Sequence, residues 1–166
     1  MAKVSIIMGS ESDMPKMRKA CEVLNDYGVD FDTTIVSAHR TPIFMSHFAL
    51  NARDNGIQVI IAGAGGAAHL PGMVASYTLI PVIGVPLNRT AVQGKDALYS
   101  IVQMPAGIPV ATVGIDNSHN AALLALQILS LNDNELYDRL MDARRDKEKT
   151  ILEAKLNWSA NGKTTS

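Results

Sequence analysis

Two adjacent residues, His39 and Arg40, have side chains suited to acid–base chemistry beside a bound anion. An imidazole can both give and take a proton near neutral pH. A guanidinium offers a planar fork of donors that matches the oxygens of a phosphate. A structural histidine and a surface ion pair are the alternative interpretations. The place of His39 just after a predicted strand favours the chemical interpretation for the histidine, whereas both interpretations stay open for Arg40.

The loop Gly9–Asp13, with the sequence GSESD, is a second candidate. Gly9 lets the backbone approach a ligand, and the amides at the start of the following helix favour an anion such as phosphate. The hydroxyls of Ser10 and Ser12 can add donors, and Asp13 can accept hydrogen bonds from the hydroxyls of a sugar. Capping of the helix by Ser12 or Asp13 is the alternative, and both interpretations can hold together.

A run of glycine and alanine, Ala62–Ala68, directly precedes His69. Residues without bulk allow bare backbone, including that of Gly65, Gly66 and Ala67, to line a pocket that excludes water. The run fits a dinucleotide-binding fingerprint only loosely, because it follows the third predicted strand and no acidic residue closes the next one. Tight packing of a helix against the sheet is the alternative interpretation.

Apolar strands alternate with helical patterns along most of the chain. The predicted strands are Val4–Met8, Val29–Val36, Val59–Ala62, Pro81–Val85 and Val110–Ile115. The predicted helices run from near Pro15 to Gly28, from Pro42 (capped by Thr41) to Gly56, over Met73–Thr78, Lys95–Val102 and Ala121–Leu131, and from Asn134 onward. This alternation predicts a flavodoxin-like α/β fold, a three-layer sandwich with a five-stranded parallel sheet and a C-terminal helix extension.

The predicted fold brings the candidate segments together. We expect a single domain over residues 1–166, with its core at about 3–131, a C-terminal helix at about 134–156 and a loose tail at 161–166. Ligands of doubly wound sheets bind outside the carboxyl ends of the strands. All three candidate segments follow a predicted strand at that end, so we expect them to meet in one site.

Composition excludes several classes of partner. The 166 residues carry a net charge of −1, so nucleic-acid binding is not expected. The single cysteine, Cys21, excludes a disulfide framework and a multi-thiolate zinc site. No apolar run approaches the ~20 residues of a membrane span and no signal peptide is recognisable, so we expect a cytoplasmic protein. No Walker loop and no clustered metal ligands occur, and we expect no cofactor.

Four segments together resemble the 5-(carboxyamino)imidazole ribonucleotide mutases of purine biosynthesis. They are GSESD at 9–13, SAHRTP at 37–42, AGAGGAAHLPGM at 62–73 and SIVQMP at 100–105. The resemblance extends from about Lys3 to Leu129. The SAHRTP segment is similar to the microbial mutase type and differs from the related carboxylases, which use free carbon dioxide.

The resemblance implies an activity and a set of site residues. Such a mutase moves a carboxylate from the exocyclic nitrogen of an aminoimidazole ribonucleotide to ring carbon 4, on the route to IMP, without a cofactor. The family is flavodoxin-like and forms homo-octamers. By resemblance, His39 is the acid–base residue, and Ser10, Asp13 and Arg40 bind the phosphorylated ribonucleotide. Ser37 and the backbone from Gly65 to His69 line the pocket for the base and the carboxylate.

One segment departs from the family, and two other functions stay open. After the fifth predicted strand, GIDNSH at 114–119 is shorter than the family's run of small residues before NAALL at 120–124, where subunit contacts and a pocket edge form. A carboxylase that uses free carbon dioxide is the nearer alternative function. A non-catalytic module that binds a nucleotide or a flavin is the more distant one.

Overall fold

The computed structural model describes residues 3–156 of the chain, and the predicted tail at 161–166 lies outside this range. Five parallel strands form one sheet in the order β2-β1-β3-β4-β5. The strands are β1 Val4–Met8, β2 Phe31–Ile35, β3 Val59–Gly65, β4 Val82–Leu87 and β5 Ala111–Thr112. The helices are α1 Met14–Asp26, α2 Pro42–Asn51, α3 Leu70–Ala75, α4 Lys95–Val102, α5 Ser118–Ser130 and α6 Asn134–Leu156. The predicted flavodoxin-like sheet with helices on both faces is confirmed.

Strand β1 is fully buried because its neighbours cover both edges and helices cover both faces. Side chains alternate between the two faces of a strand. Ile7 joins the cluster of buried residues that α2, α3 and α4 contribute, whereas Met17 of α1 lies over Gly63 on the opposite face. The register aligns Met8 with both Ile35 and Gly63, so the first three strands end at one common edge. The loops that follow them are therefore neighbours.

Strands β2 and β4 differ from the predicted Val29–Val36 and Pro81–Val85 by one or two residues at each end. Strands β3 and β5 differ more, because the sheet overrides local propensity. Strand β3 continues past Ala62 to Gly65, since its backbone pairs with β4 as far as Leu87 despite the poor strand propensity of glycine. Strand β5 has two residues instead of the predicted six, because the chain leaves the regular ladder after Thr112. Half of the glycine–alanine run is thus strand rather than loop.

The helix starts also differ from the prediction. Helix α3 spans Leu70–Ala75 instead of Met73–Thr78, because proline is tolerated in the first turn of a helix and Pro71 does not delay its start. Helix α5 begins at Ser118, three residues before the predicted Ala121. Asp13 and Thr41 hold the predicted N-cap positions of α1 and α2, but neither makes a side-chain capping bond. Helix α2 ends at Asn51 instead of the predicted Gly56.

Ser10 provides the cap that the first loop needs. Its hydroxyl accepts a hydrogen bond from the Ser12 amide at 3.4 Å, at the start of a short 3-10 turn, Glu11–Asp13, that precedes α1. The Asp13 side chain is thereby left for another partner. Gly28 ends α1 as predicted, with a left-handed backbone (φ +62°) that suits glycine.

The chain divides into two compact units, residues 1–129 and 130–166. In the second unit, helix α6 is capped by Asp133, whose carboxylate accepts from the Leu136 amide at 3.0 Å. Leu136 and Leu140 are buried, whereas Ile151 and Leu152 at the other end of α6 are about half exposed. The single-domain division of the chain stays a prediction. Among residues 3–156, no helix has the length and apolar character that crossing a membrane requires.

Gly84 lies where β4 packs against the helices. The side chains around it leave no room for a methyl group. A Cβ at Gly84 would overlap Ile101 of α4 and lie 3.1 Å from Val110 Cγ1. We expect Gly84→Ala to lower the free energy of unfolding by about 1–3 kcal/mol through overpacking. Gly114→Ala is the control, because its Cβ would meet Asn117 at an ordinary 3.7 Å. Urea unfolding of both variants measures the difference, and equal losses would contradict the packing argument.

Candidate active site

A cavity of about 270 Å³ opens at the carboxyl edge of the sheet, between the loops that follow β1, β2 and β3. The lining residues are Gly9, Ser10, Asp13, Ser37, Ala38, His39, Arg40, Ala64, Gly65, Ala67, Ala68, His69, Leu70 and Arg89. Most of the residues singled out from the sequence are in this set. Gly66 and Ser12 are not, although the hydroxyls of Ser12 and Ser10 lie 2.9 Å apart. The three candidate loops therefore form one site.

The rings of His39 and His69 meet across this cavity. Nε2 of His39 lies 2.7 Å from Nδ1 of His69, and the rings are nearly perpendicular. At this distance one nitrogen donates and the other accepts, so the two facing nitrogens share one proton. Both side chains are exposed to solvent from the cavity mouth. The pair can supply a proton to a ligand and take one back.

Arg40 is held in place by the first two loops. Its NH2 group donates to the Gly9 carbonyl at 2.6 Å, and its Nε donates to Ser37 Oγ at 3.1 Å. Thr41 closes the turn beneath it, since the Thr41 amide and hydroxyl both donate to the Ser37 carbonyl at 3.0 Å. These bonds orient the guanidinium without satisfying all of its five N–H groups. An anion in the cavity can take the remaining ones.

Asp13 is the buried acid of the site. It is only 2% exposed, and its Oδ1 accepts from NH1 of Arg89 at 2.8 Å. Burial raises the pKa of Asp13 above its ordinary value, and the Arg89 guanidinium is the strongest of the influences that lower it again. NH2 of the same guanidinium donates to Ser12 Oγ at 2.6 Å. Arg89 therefore joins the turn after β4 to the loop after β1.

The turn that carries Arg89 is anchored by Asp116 in the loop after β5. Asp116 accepts from the Asn88 amide through Oδ1 at 2.9 Å and from Lys16 Nζ through Oδ2 at 2.8 Å. Lys16 also donates to the Asn88 carbonyl. The Asp116 backbone is left-handed (φ +56°), a conformation that aspartate tolerates better than most residues. The segment that departs from the family pattern thus fixes the neighbour of Arg89.

Arg89 and Asp116 are the site residues that the sequence analysis missed. Arg89 follows β4, so the rule that ligands bind at the carboxyl ends of strands could have included it. The signal was weak because Leu87-Asn88-Arg89-Thr90 contains no glycine-rich or histidine-containing motif. No sequence signal indicates that Asp116 reaches back to Asn88.

The other two histidines lie elsewhere. His47 is exposed on α2, and His119, in the first turn of α5, is absent from the cavity lining. A larger cavity of about 550 Å³ lies at the amino ends of β4 and β5, lined by residues 75–82 and by Gly107, Ile108, Pro109 and Ala111. Its lining has no acidic, basic or histidine side chain, so the smaller cavity is the candidate for chemistry.

Within the described residues 3–156, no group of three or more His, Cys, Asp or Glu side chains could hold a metal ion.

Fold and site together define a class of protein. A doubly wound parallel sheet whose carboxyl edge carries a histidine pair, two arginines and a buried aspartate is a flavodoxin-like enzyme with a small-molecule site. A family model described as AIR carboxylase matches residues 3–150, and the chain belongs to this family. The family resemblance drawn from the four sequence segments is confirmed.

Individual relatives carry two names. The N5-carboxyaminoimidazole ribonucleotide mutase of Pyrococcus abyssi is 58% identical over 146 residues, which are 88% of this chain and 84% of that protein. The phosphoribosylaminoimidazole carboxylase of Saccharomyces cerevisiae is 56% identical over 149 residues, 90% of this chain but only 26% of that protein. The crystal structure of Treponema denticola PurE superposes with a TM-score of 0.83 at 32% identity, covering 90% of this chain and 94% of that one.

Proposed function

We propose that this chain is an N5-carboxyaminoimidazole ribonucleotide mutase of purine biosynthesis. It converts 5-(carboxyamino)imidazole ribonucleotide into 4-carboxy-5-aminoimidazole ribonucleotide. Relatives with the mutase name match nearly the whole chain over most of their own length. The structural observation that carries the proposal is the His39–His69 contact of 2.7 Å at a cavity lined by small residues and arginine.

The reaction needs one group that is acid first and base second. Protonation of the carbamate nitrogen breaks its bond to the carboxyl carbon, which leaves as carbon dioxide. Ring carbon 4 of the resulting amine is enamine-like and attacks this carbon dioxide. Removal of the proton from carbon 4 restores the aromatic ring and returns the proton to the enzyme. No net proton or electron is consumed.

His39 is the proposed acid–base residue, and His69 supports it. The contact between the rings lets His69 hold the orientation and tautomer of His39 while the proton is away. His69 holds the N-cap position of α3, whose buried first residue, Leu70, fixes the backbone beside it. We therefore assign proton transfer to His39, and to His69 the orientation of the His39 ring and of the substrate.

The proposed ribonucleotide contacts divide by charge. Arg40, the Ser10 hydroxyl and the backbone from Gly9 to Ser12 bind the phosphate, because they present cationic and neutral donors at the start of a helix. Asp13 accepts from the ribose hydroxyls, since its position in the lining puts a carboxylate acceptor against the ligand. Ser37 and the segment Gly65–His69 line the space for the base.

Small residues keep the released carbon dioxide in place. Ala64 and Ala68 are 8% and 3% exposed and contribute only methyl groups to the cavity wall. A cavity near the lower end of the ~300–1,000 Å³ range of ligand pockets holds both fragments of the reaction together. Recarboxylation then follows from proximity rather than from a dilute encounter. The carbamate supplies an activated carboxyl group, so the chemistry has no step for ATP, biotin or a metal.

We further propose that the enzyme works in the cytoplasm as a homo-octamer. A phosphorylated substrate does not cross membranes, so the enzyme shares the compartment in which the ribonucleotide is made. Large apolar side chains lie exposed on the single chain, among them Ile43 at 73% and Leu79 at 103%. Such exposure indicates surfaces that other subunits cover. Light scattering should give a mass close to eight chains, and a monomer would overturn this assignment.

A carboxylase that uses free carbon dioxide is the second candidate, because the yeast carboxylase is 56% identical. One assay separates the two functions. We expect turnover of the carbamate substrate without ATP or added bicarbonate, insensitivity to EDTA, and reversal from the ring-carboxylated product. Activity that appears only with bicarbonate and the uncarboxylated ribonucleotide would establish the carboxylase instead. EDTA inhibition relieved by a divalent metal would overturn the metal-free chemistry.

Replacement of His39 tests the acid–base assignment. His39→Asn should fold normally and lose turnover by ~10²–10⁴-fold, the usual contribution of a positioned acid–base group. His69→Asn should lose less, because it orients rather than transfers. His47→Asn, on the exposed face of α2, is the matched control and should behave like the parent. Steady-state rates decide, and a near-parental His39→Asn enzyme would remove this residue from the mechanism.

Replacement of Arg40 tests the phosphate contact. Arg40→Ala should raise KM by ~10-fold or more with a smaller effect on kcat, since a charge-assisted contact to the phosphate is lost. Arg40→Lys should restore part of this binding, because an ammonium keeps the charge without the fork. Arg53→Ala, an exposed arginine after α2, is the control. If the parent enzyme binds the dephosphorylated nucleoside as tightly as the ribonucleotide, the phosphate assignment is wrong.

A further inference from the structure

Arg89 occupies a place in the cavity that the proposed mechanism does not yet use. Its guanidinium spans two residues of the opposite loop, with 2.8 Å to Asp13 Oδ1 and 2.6 Å to Ser12 Oγ. The partners differ in burial, since the Asp13 side chain is 3% exposed and that of Arg89 is 39% exposed. Arg89 thus reaches inward from the cavity rim to a buried acid.

Gly65 makes this reach possible. A Cβ at Gly65 would lie 2.6 Å from both Cγ and Cδ of Arg89 and 2.9 Å from the Leu87 carbonyl oxygen. The aliphatic part of Arg89 therefore lies in the space that a side chain at Gly65 would fill. At this position the glycine–alanine run accommodates the arginine as well as a ligand.

Asp13 lines the cavity, and Arg89 contacts one of its two carboxylate oxygens, Oδ1. A backbone hydrogen bond from Ser10 also stabilises the carboxylate, and it lowers the pKa of Asp13 less than Arg89 does. The other cations around Asp13 are Lys16 of α1 and Arg40 of the turn after β2, and both act on it more weakly than Arg89. Without Arg89, the effect of burial on the pKa of Asp13 would be opposed less, so the pKa would rise further. The protonated carboxyl group is a poorer acceptor.

We propose that Arg89 is a positioning residue for the reaction: it fixes Asp13 Oδ1 and Ser12 Oγ so that the Asp13 carboxylate receives a hydroxyl of the substrate's ribose. This inference rests on the proposed function, in which Asp13 binds the ribose. Ser12, which accepts from Arg89, can donate its own hydroxyl to Ser10 at 2.9 Å, so the same arginine also orients the first loop toward the phosphate. Arg89 acts through these two residues and not on the reacting atoms.

Two substitutions separate the charge of Arg89 from its shape. Arg89→Met keeps an unbranched chain beside Gly65 and removes the charge, whereas Arg89→Lys keeps the charge and removes the fork. We expect Arg89→Met to raise KM by ~10-fold with kcat within a few-fold of the parent, and Arg89→Lys to recover part of the loss. Arg145→Met, in an exposed pair with Asp142 on α6, is the control and should leave both constants unchanged. Thermal melting of all variants checks that they fold.

A double-mutant cycle shows whether Arg89 acts through Asp13. Asp13→Asn alone should raise KM, and adding Arg89→Met to it should raise KM by a smaller factor than Arg89→Met does in the parent, because one of the two residues that Arg89 positions is already changed. Multiplied effects would mean that Arg89 contacts the substrate itself, which would overturn a positioning role. A parental KM in both Arg89 variants would overturn it as well.

The pH dependence of KM gives an independent readout. Loss of Arg89 raises the pKa of Asp13 further, so the carboxylate becomes protonated at a higher pH as the pH falls. KM for the ring-carboxylated product, followed in the reverse direction, should therefore begin to rise at a higher pH in Arg89→Met than in the parent. Coincident pH profiles of KM in Arg89→Met and the parent would contradict the inference.

A parental KM in Asp13→Asn would instead refute the ribose contact of the proposed function, whatever the Arg89 variants do.

Discussion

The lack of any side chain larger than a methyl group along the carboxyl half of β3 is the constraint on which the site depends. This strand is the middle of the sheet, and two neighbouring side chains use the space that its glycines leave. Met17 of α1 lies over Gly63, within 2.5 Å of where a Cβ would be, and the chain of Arg89 lies over Gly65. A larger residue at either position would displace a helix or remove a cation from the cavity. The glycines thus set the distance between the first, third and fourth loops.

The charged and titratable side chains around the cavity differ in how deeply they are buried. Asp13 is deepest, and three cations surround it, from the turns after β2 and β4 and from α1. The two histidine rings, which meet at 2.7 Å, are exposed to solvent. The buried acid is thus held among cations, whereas the groups that can exchange a proton are the ones that solvent reaches.

Much of this arrangement could be predicted from the sequence, and the failures have physical causes. Gly9 follows β1 directly, and His39 and His69 each lie in the loop just beyond a strand, so the topology rule locates them without knowledge of contacts. The predicted end of β3, at Ala62, is three residues too early, because glycine has poor strand propensity and only pairing with Leu87 keeps Gly65 in the ladder. The same pairing brings Arg89 over Gly65. A prediction that ends β3 at Ala62 therefore also leaves Arg89 out of the site. The contact between Asp116 and Asn88 joins residues far apart in the chain, and no local pattern encodes it.

The brevity of β5 has a consequence for how the sheet meets other chains. An open strand edge presents unpaired amides and carbonyls that can template the addition of a foreign strand, which is a route to aggregation. Within the described residues, β5 offers two residues at one edge, and the left-handed Asp116 turns the chain away soon after. The other edge, β2, is five residues long, and the carboxylate of Asp32 lies in it, accepting a hydrogen bond from Ser5 at 2.6 Å. Growth of the sheet by strand addition is thus limited by length on one side and opposed by a charge on the other.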